Sequence, residues 1–122
     1  QPKKKLNFGN SGTGIRLISG LVSSNNISTI LTGDKSLNNR PMRRVTEHLI
    51  KIGSNIKLKK NVYPPINIKG IGNAVPLSFD IKIPSAQIKS AIILSSLKIY
   101  SLCVLITTID TNNCLMVSFV YF

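Results

Sequence analysis

The chain has 122 residues, enough for one small domain with its own core and too few for two. Sixteen Lys and Arg against four acidic residues give a formal charge of +12, which taken alone points to nucleic acid or another polyanion. The distribution argues otherwise: outside Lys3-Lys4-Lys5, Arg43-Arg44 and Lys57, Lys59 and Lys60 the cations are scattered, with few aromatics between them to stack on bases, so no specific nucleic-acid partner is expected. Cys103 and Cys114, with no C-x-x-C and no His cluster, indicate neither a zinc site nor a disulfide framework and fit a reducing cytoplasm. No run approaches the roughly 18 apolar residues of a membrane span, and no signal-peptide pattern opens the chain. The sequence starts at Gln1 rather than Met and enters an apolar pattern with no start signal, so it is read as a piece of a longer protein.

From Thr13 to about Ser24, Ile15, Ile18 and Val22, with Leu17 and Leu21 beside them, follow helical spacing behind a glycine turn. Ile27 to Thr32 is short, β-branched and bounded by Asn25-Asn26 and Gly33-Asp34, which predicts a strand. A second helix is expected to open at Pro41, to carry Met42, Val45, Leu49 and Ile52 on one face, and to end at Gly53. Ile56 and Leu58, then Ile66 and Ile68 after a break at Pro64-Pro65, predict two strands. Val75, Leu77, Phe79, Ile81 and Ile83 predict a third by strict alternation. Ser85 is expected to cap a helix from Ala86 to about Ile99, apolar broadly enough for near-complete burial.

This order, helix, strand, helix, three strands and helix, predicts an α/β (α+β) layered domain rather than a bundle. After Tyr100 the texture changes. Leu102 to Ile109 and Leu115 to Phe122 are apolar and β-prone, and the latter, with no charge and no Pro, has the pattern of an aggregation-prone edge. The chain is therefore divided into residues 1–101 and a divergent tail, 102–122, read as frameshifted, with a C-terminal hairpin as the plain alternative.

Three segments put small or basic polar residues where a helix begins, the setting in which unpaired N–H groups and the helix dipole favour an anion. In the first, Gly9 to Arg16, the missing side chain at Gly12 lets a phosphate approach the backbone, Ser11 or Thr13 caps the helix, and Arg16 braces the loop. Alone it is equally a glycine turn entering a core helix, and it matches neither a dinucleotide nor a P-loop pattern. In the second, Arg40 before Pro41 would project a planar fork toward a helix start, suited to phosphate or carboxylate, or would be a solvated Arg. In the third, Ser85, Ala86 and Gln87 combine a hydroxyl, backbone N–H groups and an amide, or are an N-cap and a first-turn polar residue. Asp34 and Glu47 are expected to pair with neighbouring cations, and His48 to be solvated.

Taken jointly, Gly9 to Leu17, Thr32 to Met42 and Pro84 to Ala91 resemble, in order and spacing, the substrate-binding segments of the 5-enolpyruvylshikimate-3-phosphate synthase family. The resemblance runs from about Leu6 to about Ser101 and favours the class with Ser-Ala-Gln at the third segment. It implies βαβαββ repeat units, incomplete here. It also implies that Gly12 and Arg40 lie at the phosphate end of phosphoenolpyruvate, that Ser85 and Ala86 bind shikimate 3-phosphate, and that Gln87 touches both, with Asn10, Thr13 and Arg16 in support. The family transfers an enolpyruvyl group to the 5-hydroxyl of shikimate 3-phosphate and releases phosphate, without metal or organic cofactor. Its site lies between two domains, and the complete enzyme is expected to be a cytoplasmic monomer. The family's early Lys-Ser-Arg contacts and its second-domain Asp and Glu have no counterpart, so no catalytic residue is assigned and the chain alone is expected to be inactive. The alternative is a small basic binding protein for nucleic acid or phosphorylated ligands.

Overall fold

The computed structural model describes residues 4–72, 79–81, 85–96, 103–109 and 115–121. In chain order these form β1 (Lys4–Asn7), α1 (Gly12–Ser23), β2 (Ser28–Thr32), a 3-10 turn at Leu37–Asn39, α2 (Arg43–Lys51), β3 (Asn55–Lys59), β4 (Tyr63–Lys69), β5 (Phe79–Ile81), α3 (Ala86–Ser96), β6 (Cys103–Ile109) and β7 (Leu115–Tyr121). The first four strands and two helices are thus one βαβαββ unit. Its sheet has the order β1-β2-β4-β3, with β1 parallel to β2 and the remaining pairs antiparallel. A second sheet has the order β5-β7-β6, all antiparallel.

Register carries the apolar alternation of each strand onto one face. Leu31 stands opposite Ile66 and Thr29 opposite Ile68, while Ile66 and Ile68 face Leu58 and Ile56 of β3. Leu31, Ile66 and Ile68 are buried with Ile15 and Val22 of α1 and with Leu37 and Met42, and Phe8, Ile18, Ile56 and Leu58 pack around them. On the other face Lys5, Ile30, Asn67 and Lys57 form one cross-strand row, so that side is polar and basic.

The predicted helices and strands are present, with informative differences at their ends. β1 was not expected: its four residues are all exposed, it lies at the sheet edge, and its ladder with β2 rather than an apolar face holds it. β4 runs through Pro64-Pro65 instead of starting after it. The prolines, which cannot donate to a ladder, fall between the Leu58–Ile66 and Lys59–Tyr63 pairs, where the register shifts, and lie beyond the ladder to β2. α2 starts at Arg43, not Pro41. Arg40 is extended, as the residue before a proline must be, and buried Met42 holds the N-cap position with no capping side chain. Gly53, at φ 113°, closes α2 in a conformation that suits glycine.

Phe79–Ile81 form β5, while the other positions of the predicted 75–83 strand lie outside the described residues, as do 97–99 of the predicted third helix. No residue of α3 from Gln87 to Ser96 is exposed, in keeping with its broadly apolar sequence. The C-terminal hairpin is present, and Leu115–Tyr121 is the central strand of its sheet rather than an edge. An uncharged, β-prone segment suits a strand paired on both sides.

α1 and α3 pack on each other by way of Gly20, where a Cβ would lie 2.1 Å from the Ala91 carbonyl oxygen. No flexible side chain can yield there, because the obstacle is backbone. Gly20→Ala is therefore expected to cost about 1–3 kcal/mol by forcing the helices apart. Ile50→Ala, at an exposed position, is expected to be near neutral. Urea unfolding of both variants checks this, and a neutral Gly20→Ala would show that the two helices are not in close contact.

Candidate functional site

The helix starts dictate where the polar groups gather. Ser11 caps α1, its Oγ accepting from the Gly14 N–H at 3.0 Å. Ser85 precedes α3, its Oγ accepting from the Ile88 N–H at 3.4 Å. Contacts between α1 and α3 ascend together, from Thr13 and Arg16 against Gln87 to Gly20 beside Ala91. The two helices therefore run in the same direction, and their N-terminal, positive ends lie side by side.

Three hydrogen bonds tie this end together. Arg16 Nη1 donates to Gln87 Oε1 at 2.7 Å and to the Gly12 carbonyl at 3.2 Å, and Gln87 Nε2 donates to Thr13 Oγ1 at 3.0 Å. Arg16 Nη2 also lies 3.5 Å from the Pro41 carbonyl, so one guanidinium links the beginnings of α1, α3 and the approach to α2. Arg40 enters from the 3-10 turn, which the loop before it secures. Asp34 Oδ1 accepts from the Leu37 N–H at 2.7 Å, and the Asn38 side chain both accepts from the Gly33 N–H and donates to the Gly33 carbonyl. Asp34 thus caps the turn, and among the described residues no cation pairs with it. Arg40 Nη2 donates to Asn10 Oδ1 at 2.8 Å. Its guanidinium reaches the start of α1, not the helix that follows Pro41.

Gly12 is the point on which both arginines converge. A Cβ there would stand 3.0 Å from Arg40 Nη1 and 3.1 Å from Arg16 Nη1. The electrostatic consequence is visible at Arg16, whose pKa is pushed down first by burial and then by the charge of Arg40. An anion bound between the two cations would relieve that repulsion. Beside them a cleft of about 620 Å³ is lined by Arg16, Arg43, Arg44, Glu47, Ser85 and Gln87, among others. Its carboxylate is already paired, Arg43 Nε lying 2.6 Å from Glu47 Oε1 in an exposed i,i+4 pair.

Of the positions singled out in the sequence, Asn10, Gly12, Thr13, Arg16, Arg40 and Gln87 form one connected cluster, and Ser85 lines the adjoining cleft. Ala86 is the exposed first residue of α3. In the sequence Arg43 and Arg44 read only as paired charge; their position in the first turn of α2, directly after Arg40-Pro41-Met42, is the signal that they face the same cleft. His48 is half-buried rather than solvated; burial, then Lys51, lowers its pKa, with Glu47 opposing. Among the described residues no group of three or more His, Cys, Asp or Glu is placed to hold a metal ion, and no helix is long and apolar enough to cross a membrane.

Two parallel helix starts, two convergent arginines and a side-chain amide thus meet at one end of the α/β unit, where the sign of the charge suits an anion. The profile of the EPSP synthase (3-phosphoshikimate 1-carboxyvinyltransferase) family matches residues 1–119, and the chain belongs to that family. A 3-phosphoshikimate 1-carboxyvinyltransferase from Chloroherpeton thalassium is 43% identical over 111 residues, which is 91% of this chain and 26% of that protein. Another, from Caldicellulosiruptor bescii, is 46% identical over 98 residues, 80% of this chain and 23% of its own length. The solved EPSP synthase from Acinetobacter baumannii superposes with a TM-score of 0.78 at 30% identity, covering 97% of this chain and 31% of that one. The chain spans about a quarter of the length of the curated relatives it matches.

Because the arginines repel each other in the unliganded protein, inorganic phosphate is expected to raise the unfolding free energy beyond the effect of sodium chloride at equal ionic strength, by about 2.7 kcal/mol at a hundred times its Kd. Arg40→Ala is expected to remove the excess. Thermal unfolding with each salt tests this, and equal stabilisation by both salts would exclude a specific anion site.

Proposed function

We propose that this chain supplies the part of an enolpyruvyl transferase that holds the anionic groups of phosphoenolpyruvate and shikimate 3-phosphate. In the complete enzyme the enolpyruvyl group passes to the 5-hydroxyl of shikimate 3-phosphate and inorganic phosphate is released. The observation that carries this reading is the convergence of Arg40 and Arg16 on Gly12 at the start of α1, with Gln87 of α3 bonded into the same cluster. Gly12 and Arg40 take the phosphate end of phosphoenolpyruvate: the missing Cβ leaves room for an oxygen, and the exposed fork of Arg40 suits bidentate contact. Ser85 and Ala86 take shikimate 3-phosphate at the start of α3, and Gln87 lies between the two. Asn10 steadies Arg40, and Thr13 and Arg16 steady Gln87. No cofactor is required for this role, and the complete enzyme is read as a cytoplasmic monomer.

The chain does not turn over on its own in this reading. Of the two carboxylates whose surroundings the structure describes, Asp34 caps the 3-10 turn and Glu47 is paired with Arg43, and neither is placed to move a proton between bound substrates. Phosphate release from phosphoenolpyruvate in the presence of shikimate 3-phosphate should equal the protein-free blank. Binding should survive in part: calorimetric titration with phosphoenolpyruvate is expected to show an affinity that falls about tenfold or more in Arg40→Ala and is unchanged in Lys57→Ala, on the far face of the sheet. Equal affinity in Arg40→Ala and the parent chain, or turnover that Arg40→Ala abolishes, would contradict the assignment.

A further inference from the structure

The two arginines of the cluster have different work. Arg40 is exposed and, among the described residues, its side chain hydrogen-bonds to Asn10 alone. Arg16 is half-buried, and its guanidinium is committed to the Gly12 carbonyl, the Pro41 carbonyl and Gln87 Oε1. Building on the anion site proposed above, we infer that Arg16 is a positioning residue whose guanidinium sets the polarity of the Gln87 amide, so that Gln87 meets an incoming anion as a hydrogen-bond donor.

The inference follows from what each group can donate and accept. A guanidinium carries donors only, so the atom of Gln87 that lies 2.7 Å from Arg16 Nη1 must be the oxygen. The nitrogen is thereby turned toward Thr13, donates one hydrogen to its Oγ1 at 3.0 Å, and has a second left to donate, on a residue that lines the cleft. Thr13 cannot set this polarity, because a hydroxyl accepts from an amide nitrogen as readily as it donates to an amide oxygen. Without Arg16 the amide is free to rotate by half a turn and present an oxygen to the ligand, a repulsive contact for a phosphate or carboxylate. A residue contacting the ligand directly would be predicted to act independently of Gln87. A residue acting through Gln87 would not.

The test is a double-mutant cycle on the full 122-residue chain with phosphoenolpyruvate as probe, followed by calorimetry and by 15N–1H spectra of the Gln87 side-chain amide. Arg16→Met is expected to weaken binding about tenfold or more in the parent background, as the loss of a charge-assisted hydrogen bond requires, and to have a much smaller effect in Gln87→Ala, where only its charge remains to be lost. Equal losses in both backgrounds overturn the inference. Gln87→Glu, which keeps a partner for Arg16 but offers only oxygen, is expected to stay folded and lose binding to the same extent. Undiminished binding in that variant overturns the inference too, and this arm decides the matter should Arg16→Met fail to fold. In the unliganded parent the Gln87 amide proton that Thr13 accepts is expected to exchange with solvent more slowly than its geminal partner. Two protons that exchange at the same rate contradict the fixed polarity. Failure of the parent chain to bind phosphoenolpyruvate at all counts against the site reading itself, and the amide signature then decides the orientation of Gln87 separately.

Discussion

Everything at the candidate site depends on how closely α1 can lie against α3. Gly20 gives the two helices backbone contact at Ala91, and because they run in the same direction this contact fixes both N-terminal ends at one place. Parallel neighbouring helices put like ends of their dipoles together, which is mildly unfavourable without a ligand and favourable with an anion. The same contact sets the distance at which Arg16 and Thr13 of α1 grip Gln87 of α3. One missing methyl group within a helix thus controls polar geometry about one to two turns away.

Charge makes sense at this place and not as a property of the chain as a whole. Among the described residues, cations such as Lys5, Lys57 and Lys69 stand on the sheet away from this place and contribute a nonspecific attraction to anions. At the start of α1 the situation differs. Two guanidinium groups approach one buried glycine, the carboxylate of the neighbouring cleft is neutralised by Arg43, and burial raises the cost of leaving Arg16 without a counter-charge. Close spacing, desolvation and fixed geometry distinguish a binding site from a basic surface.

Much of this was legible in the sequence because the relevant signals are local. Helical spacing of Ile15, Ile18 and Val22, alternation at Ile66 and Ile68, and capping residues at Ser11 and Ser85 each depend on a few neighbours, and each element is found. The misses are where distant structure decides. β1 has no apolar face and exists only because β2 pairs with it, and the prolines of β4 are tolerated because the partner strand shifts register opposite them. Arg40 reaches a different helix from the one its sequence position points to for the same reason: its backbone belongs to the α2 approach, but Asn10, thirty positions away, holds its side chain over α1. The link between Arg16 and Gln87 spans 71 positions and has no local signature. Membership of the EPSP synthase family explains why three segments that are individually weak occur together and in order.

The most direct test of this account is a crystal structure of the chain grown with phosphoenolpyruvate. The ligand's phosphate should lie against Gly12 with the Arg40 fork on its oxygens and the Gln87 nitrogen within hydrogen-bond distance of the ligand. A ligand seated instead on the Lys57 and Lys69 face of the sheet, with the Arg16, Arg40 and Gly12 cluster unoccupied at saturating concentration, would contradict it.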